Sequence, residues 1–278
     1  MRKMFILVTI FVSLGLLVGC GSNGQYEVKE GNTLTVGLEA TYAPYNWTTQ
    51  TQNDFTVSLS GQPGAYVDGY DVVIARKVAE DLGLKLVIKA IVWEGLIQAL
   101  LANQIDVIIA GMSPTADRAK TVNFSSEYYR SEHVLVVKKG SVLADATSLN
   151  DFSGTKAVAQ LGTLQDGLIS QIPNATHMTA LESYGAITQA LRSGQADVFI
   201  AELPVAMSIT NSNDDLSYVQ LPSGSGFIVP DEDTLTAVAL RKNDLDLLEA
   251  INNVLESITV AERVAWMTAA QGRQVSND

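Results

Sequence analysis

The chain of 278 residues has one cysteine, Cys20, and two histidines, His133 and His177. A single cysteine excludes an internal disulfide and a cysteine-based metal site. Neither histidine sits in an HExxH or beside a nucleophile pattern, and no GxSxG or glycine-rich phosphate loop occurs. Asp68-Gly-Tyr-Asp71 has the first acids of a calcium loop and lacks the later ones. No metal, no cofactor and no catalytic residue is therefore expected. Positive charge is scarce as well: 18 Lys and Arg stand against 30 Asp and Glu, a formal charge of −12. That sign excludes phosphate-driven binding to nucleic acid and a polybasic grip on anionic lipid. The acids are scattered, as on an ordinary solvated surface.

Long apolar runs are missing apart from one at the N-terminus. Met1-Arg-Lys3 is basic and Met4 to Val18 is almost wholly apolar, followed by Leu17-Val-Gly-Cys20. The run is shorter than the roughly 20 residues of a membrane span. Basic start, short apolar stretch and small residues at the cut describe a secretory signal over residues 1–19. Leu-Val-Gly-Cys resembles the bacterial lipobox, which makes Cys20 a lipidation site; two acyl chains suffice for stable anchoring. Small and polar residues 20–32 then read as a tether. Loss of a leader carrying Arg2 and Lys3 and no acid takes the formal charge to −14. About 245 residues follow, enough for one large domain or two ordinary ones.

What is present is a repeat. Gln98-Ala-Leu-Leu-Ala-Asn-Gln-Ile-Asp-Val-Ile-Ile-Ala110 aligns without gaps on Gln189-Ala-Leu-Arg-Ser-Gly-Gln-Ala-Asp-Val-Phe-Ile-Ala201, with eight of thirteen positions identical. Each copy predicts a helix stopped by Asn103 or Gly194, then a short buried strand, Val107 to Ala110 or Val198 to Ala201. Strands are also predicted at Leu34–Leu38, Leu86–Val92, Lys156–Ala159 and Thr236–Leu240. Helices are predicted at Tyr70–Leu82, Thr163–Gln171 and Leu245–Ile258; the first has an apolar stripe at Val73, Ile74, Lys77 and Val78. Alternation of this kind predicts parallel α/β sheets, and two copies of one unit predict two lobes.

Ligands of open α/β sheets bind beyond the carboxyl ends of the strands. The strand ends carry Glu39 to Tyr42, Trp93, Gly111 to Ser113, Gln160 to Thr163, and Glu202. Ser113-Pro-Thr-Ala-Asp-Arg118 reads as a helix start whose free amides, hydroxyl and guanidinium suit a small carboxylate. The same residues equally fit a capped surface helix with Arg118 paired to a nearby acid. Glu202 fits an ammonium partner or a helix-start charge, and Tyr42 and Trp93 fit a ligand wall or core.

Several separated motifs resemble a known family. Thr35-Val-Gly-Leu-Glu-Ala-Thr-Tyr-Ala-Pro-Tyr45, Gly69-Tyr-Asp-Val72, Trp93-Glu-Gly-Leu-Ile97, Ile105 to Arg118 and Phe124-Ser-Ser-Glu-Tyr-Tyr129 are similar to the polar amino-acid-binding proteins of bacterial ABC importers. The likeness runs from about Thr33 to Gln271. It implies a two-lobed Venus-flytrap fold with crossings near Tyr129–Glu132 and Leu221–Phe227. Lobe one would then span 33–130 and 226–278, and lobe two 131–225. It also implies that Arg118 holds the ligand α-carboxylate with Ser113 and Thr163. Glu202 and the Gly111 carbonyl would hold the α-ammonium, and Glu39, Tyr42 and Trp93 would surround the side chain. Met112 and Gln160 complete the expected ligand-binding set. Glu39 and Glu202 stand where many members have Asp, which lengthens each reach by a methylene. Asn46 to Tyr66 is longer than usual and resembles a surface hairpin.

The implied partners are a polar or cationic free amino acid, arginine or lysine before glutamine, and an ABC permease with its ATPase subunits. The chain is expected to be a monomer outside the cell membrane, anchored in the Gram-positive manner. The alternative is an enzyme on the same scaffold, as in cyclohexadienyl dehydratase relatives, with Glu39 or Glu202 as general acid.

Overall fold

The computed structural model describes residues 25–274; Cys20 and the leader lie outside the described residues. Two five-stranded sheets share one topology. In the first, the order is Lys85–Ala90, Thr33–Leu38, Val107–Ile108, Leu235–Leu240, Asn123–Arg130. The second runs Thr176–His177, Lys156–Val158, Val198–Glu202, His133–Lys138, Leu216–Val219. In each, three parallel strands are followed by an antiparallel fourth, and the fifth, antiparallel to the fourth, runs parallel to the first three. The repeat explains the match. Both copies supply the third strand of their sheet, and Asn103 (φ 56°) and Gly194 (φ 80°) stop the preceding helices in the left-handed conformation. The first copy's strand is only Val107–Ile108, shorter than expected, because the chain soon turns at Gly111 (φ 64°).

The fourth strand of each sheet enters directly after the chain has changed lobes. Asn123–Arg130 lies in the first sheet and His133–Lys138 in the second, so residues 131–132 make the first crossing. The return lies between Val219 and Leu235. Phe227 and Val229 still pack on the second sheet's outer core. Gln171 holds both backbone groups of Ile228 at 2.8 Å, and Asp231 reaches Arg130 at 3.1 Å. Phe227 and Val229 are both partly buried, so contacts with the second sheet's core persist to Val229.

The helix Tyr70–Asp81 buries Asp71, Ile74, Ala75 and Val78. Of the expected stripe, Ile74 and Val78 are buried while Val73 and Lys77 are half-buried, and Asp71, Val72 and Ala75 widen the inner face. Asn46–Thr49, Val57–Ser58 and Tyr66–Asp68 do not form an isolated hairpin. With Thr41–Tyr42 they make a four-stranded antiparallel sheet. That sheet holds a C-terminal helix, Val260–Arg273, absent from the sequence reading although Thr259 and Glu262 form a capping box. Arg273 pairs with the buried Asp68 at 2.7 Å and lies 4.0 Å over the Phe55 ring. Among the described residues no helix is long and apolar enough to cross a membrane.

Candidate functional site

The strand ends of both lobes converge on one cavity of about 320 Å³, part of it open to solvent. The first lobe supplies Glu39 and Tyr42 from the turn after Thr33–Leu38, Trp93 from the short helix after Lys85–Ala90, and Gly111, Ser113 and Arg118. Gly111 must be glycine. Its φ is +64°, and a Cβ would sit 2.7 Å from the Tyr42 ring. The second lobe supplies Gln160, Thr163 and Glu202.

Arg118 follows a short helix start capped by Thr115, whose hydroxyl accepts from the Arg118 amide at 3.4 Å. Its guanidinium lies 5.0 Å over the Trp93 ring and donates to the carbonyls of Ser113 (3.0 Å) and Gly162 (3.3 Å). The Trp93 indole N–H donates to the same Gly162 carbonyl at 3.1 Å, across the cleft. Gln160 Nε2 donates to Glu39 Oε1 at 2.9 Å and to the Glu182 carbonyl at 3.0 Å. The Tyr42 hydroxyl donates to Glu202 Oε2, joining the lobes. The Tyr42 ring stacks between Tyr45 (5.1 Å) and Tyr184 (5.3 Å). Thr163 donates to the Gln160 carbonyl at 2.6 Å and caps the helix Leu164–Leu168.

Of the ten expected ligand-binding residues, nine border this cavity. Met112 does not. It is 1% exposed in the first lobe's core, and its carbonyl accepts from Ala237 N at 3.0 Å. Gly111 and Ser113 border the cleft, and the left-handed turn at Gly111 leaves the Met112 side chain in the core between them. Leu164, Gln165 and Tyr184 border the cavity and were not expected. Tyr184 is the first residue of the helix that opens the second repeat, capped by Ser183. Extended five residues upstream of Gln98 and Gln189, the repeat aligns Tyr184 with Trp93, a signal that would have found it.

The charged side chains lining the cavity are Glu39, Glu202 and Arg118. Burial raises the Glu39 carboxyl above its ordinary value, opposed by hydrogen bonds from Gln160 and Thr41. Burial lowers the Arg118 guanidinium, opposed by the charges of Glu202 and Asp233. Burial, and then the Glu202 charge, push the Tyr42 and Tyr184 phenols well above their ordinary value. Two carboxylates and one guanidinium make a site complementary to one anionic and two cationic groups. Among the described residues no cluster of His, Cys, Asp and Glu could hold a metal ion.

Known proteins are similar to this chain. The arginine-binding extracellular protein ArtP of Bacillus subtilis is 29% identical over 263 residues, 93% of each chain. The L-cystine-binding protein TcyJ of Escherichia coli K12 is 29% identical over 82% of this chain and 78% of its own. The structure of AbpA from Streptococcus pneumoniae, an amino acid ABC transporter substrate-binding protein bound to L-arginine, superposes with a TM-score of 0.73 at 26% identity. It covers 88% of this chain and 96% of its own. The ancestral amino acid-binding protein AncCDT-1, a precursor of cyclohexadienyl dehydratase, gives 0.69 at 26% identity, over 86% and 95%. The two like-wound lobes and the strand-end cleft between them agree with the family model that matches residues 34–267, and the chain belongs to the bacterial extracellular solute-binding proteins, family 3.

Proposed function

We propose that this chain is the amino-acid receptor of an ABC importer and that its ligand is a cationic L-amino acid, arginine before lysine. The observation that carries this is the charge set of the cavity. Arg118, with the Ser113 hydroxyl and Thr163, would take the α-carboxylate, and Glu202 with the Gly111 carbonyl the α-ammonium. Glu39 is left over. A zwitterion with a neutral side chain leaves this carboxylate, enclosed in the cleft, without a cation; a guanidinium or ammonium side chain supplies one. An acidic ligand meets repulsion. The names of ArtP and AbpA support arginine, while TcyJ is named for cystine, so choice of ligand rests on this chain's own Glu39.

The dehydratase reading draws on the raised Glu39 carboxyl, as a general acid requires. Gln160 counts against it, because its amide donates to Glu39 and favours the ionised form. Cys20 in its lipobox is the proposed anchor to the outer face of the cell membrane, and an ABC permease the proposed partner.

Calorimetry with arginine, lysine, glutamine, glutamate and leucine tests the reading, on wild type and Glu39→Gln. Arginine should bind tightest. The variant should lose about 10- to 150-fold for arginine, the worth of one hydrogen bond to a charged group, while glutamine changes little. Tightest binding of glutamate or leucine, or an unchanged ranking in the variant, would refute it.

A further inference from the structure

Behind the first-lobe wall of the cavity lies a buried carboxylate that does not line the cavity. Asp71 is 0% exposed, in the first turn of the helix Tyr70–Asp81. Its Oδ2 accepts from Asn46 Nδ2 at 2.8 Å, and its Oδ1 accepts from the Tyr128 hydroxyl at 2.7 Å. Each donor is itself the acceptor of a backbone amide. Asn46 Oδ1 accepts from Ala40 N at 2.6 Å, and the Tyr128 hydroxyl accepts from Gly111 N at 2.9 Å. Ala40 and Gly111 both have positive φ, 61° and 64°. These are the two turns that present Glu39, Tyr42 and the Gly111 carbonyl.

We infer that Asp71 is a positioning residue of the binding site: through Asn46 and Tyr128 its carboxylate fixes the Ala40 and Gly111 turns in the geometry that receives the ligand. This rests on the receptor reading above.

The direction of the bonds carries the argument. A backbone N–H can only donate, so the Ala40 amide orients the Asn46 side chain with its NH₂ toward Asp71. The Gly111 amide likewise occupies the Tyr128 oxygen and turns its hydrogen toward Asp71. Both relays end on a donor, and the group between them must accept twice at separate atoms. An ionised carboxylate does so. An asparagine or a protonated acid presents a hydrogen at one of the two positions and faces donor with donor. Ala40 shows why the arm matters, since a non-glycine residue holds left-handed backbone only where its surroundings over-determine it.

The groups facing Asp71 are Tyr45 from the loop, Tyr70 from its own helix and Tyr128 from the strand Asn123–Arg130. The cation of this cluster, Arg263, lies beyond Tyr70. With no ion pair to offset burial, the Asp71 carboxyl is raised to about 6, against the hydrogen bonds of Tyr128 and Asn46 and the Gly111 backbone amide. The doubly accepting form is thus lost in mildly acid solution.

Amide hydrogen exchange by NMR and calorimetry with L-arginine, on Asp71→Asn and Tyr128→Phe, test this. In Asp71→Asn, exchange at Ala40 or Gly111 should quicken at least about tenfold, with Val36 unchanged, and arginine Kd should rise about tenfold or more. Tyr128→Phe should loosen Gly111 alone and weaken binding. The wild-type advantage over Asp71→Asn should shrink as pH falls through 6, whereas a purely structural role would leave that ratio level. Unchanged exchange at both amides, or faster exchange with wild-type affinity, would overturn the inference. Should Asp71→Asn fail to fold, the Tyr128→Phe exchange and affinity decide. Failure of wild type to bind L-arginine would sink the ligand assignment, and the exchange arm would still decide the role of Asp71.

Discussion

Replacing Arg118 with lysine keeps the positive charge and removes the planar fork. In the structure the guanidinium engages three groups at once: the Trp93 ring at 5.0 Å and the carbonyls of Ser113 and Gly162 at 3.0 and 3.3 Å. These contacts fix its plane, so it can meet a ligand carboxylate with two parallel N–H groups. A lysine ammonium is a point charge on a flexible stem and cannot hold the stack and two bonds together. Loss of the cation–π contact costs about 0.5–2 kcal/mol, and of one hydrogen bond to a charged group about 1.5–3 kcal/mol. The Lys variant should therefore bind arginine weaker by about 2–5 kcal/mol, roughly 30- to 5,000-fold. Arg118→Ala should abolish binding. Calorimetry reads the affinity, with circular dichroism as the check that both variants remain folded. A Lys variant within about threefold of wild type would show that Arg118 serves the helix start and the Trp93 stack and not the ligand.

Asp71 also predicts a pH effect on stability. Its carboxyl is raised from 3.8 to about 6, so folding favours the protonated form. That contribution is fully present below pH 3.8 and lost as pH rises through 6; wild type should lose on the order of 3 kcal/mol relative to Asp71→Asn between pH 3.5 and 7. Urea unfolding of both proteins across that range measures it, and a constant difference would contradict it. Arg273→Ala leaves Asp68, 2% exposed, without its cation. It should cost about 3 kcal/mol by thermal or urea unfolding, against at most about 0.5 kcal/mol for Lys77→Ala, whose pair with Asp81 is half exposed. Equal costs would mean that the small sheet does not hold the C-terminal helix. Cys20→Ser should yield unlipidated protein, and mass spectrometry of the wild-type N-terminus finding an unmodified Cys20 would remove the anchor.

Much of the architecture was legible because it is written locally. The helix stops at Asn103 and Gly194, the buried strands after them and the alternation of periodicities are properties of short segments. The repeat put equivalent strand ends in both lobes, the strand-end rule then named eight of the residues that border the cavity, and the helix start at Ser113 added Arg118. Where the sequence reading went astray, the deciding contact was distant or depended on direction. Met112 sits between two cleft residues and points the other way. Tyr184 reaches the cleft only because the second lobe turns its helix start against the Tyr42 ring. Phe227 and Val229 pack against the second sheet's core, and the small sheet that Asn46–Thr49 joins meets the C-terminal helix through Asp68 and Arg273, 205 residues apart. Sequence alone thus determined the two lobes and which residues stand at their strand ends. The tertiary structure decided which way those side chains face and what holds them, as with Tyr42 on Glu202, 160 residues apart. Short segments fix periodicity and stops, while hydrogen-bond direction and burial depend on groups that only the closed chain brings within reach.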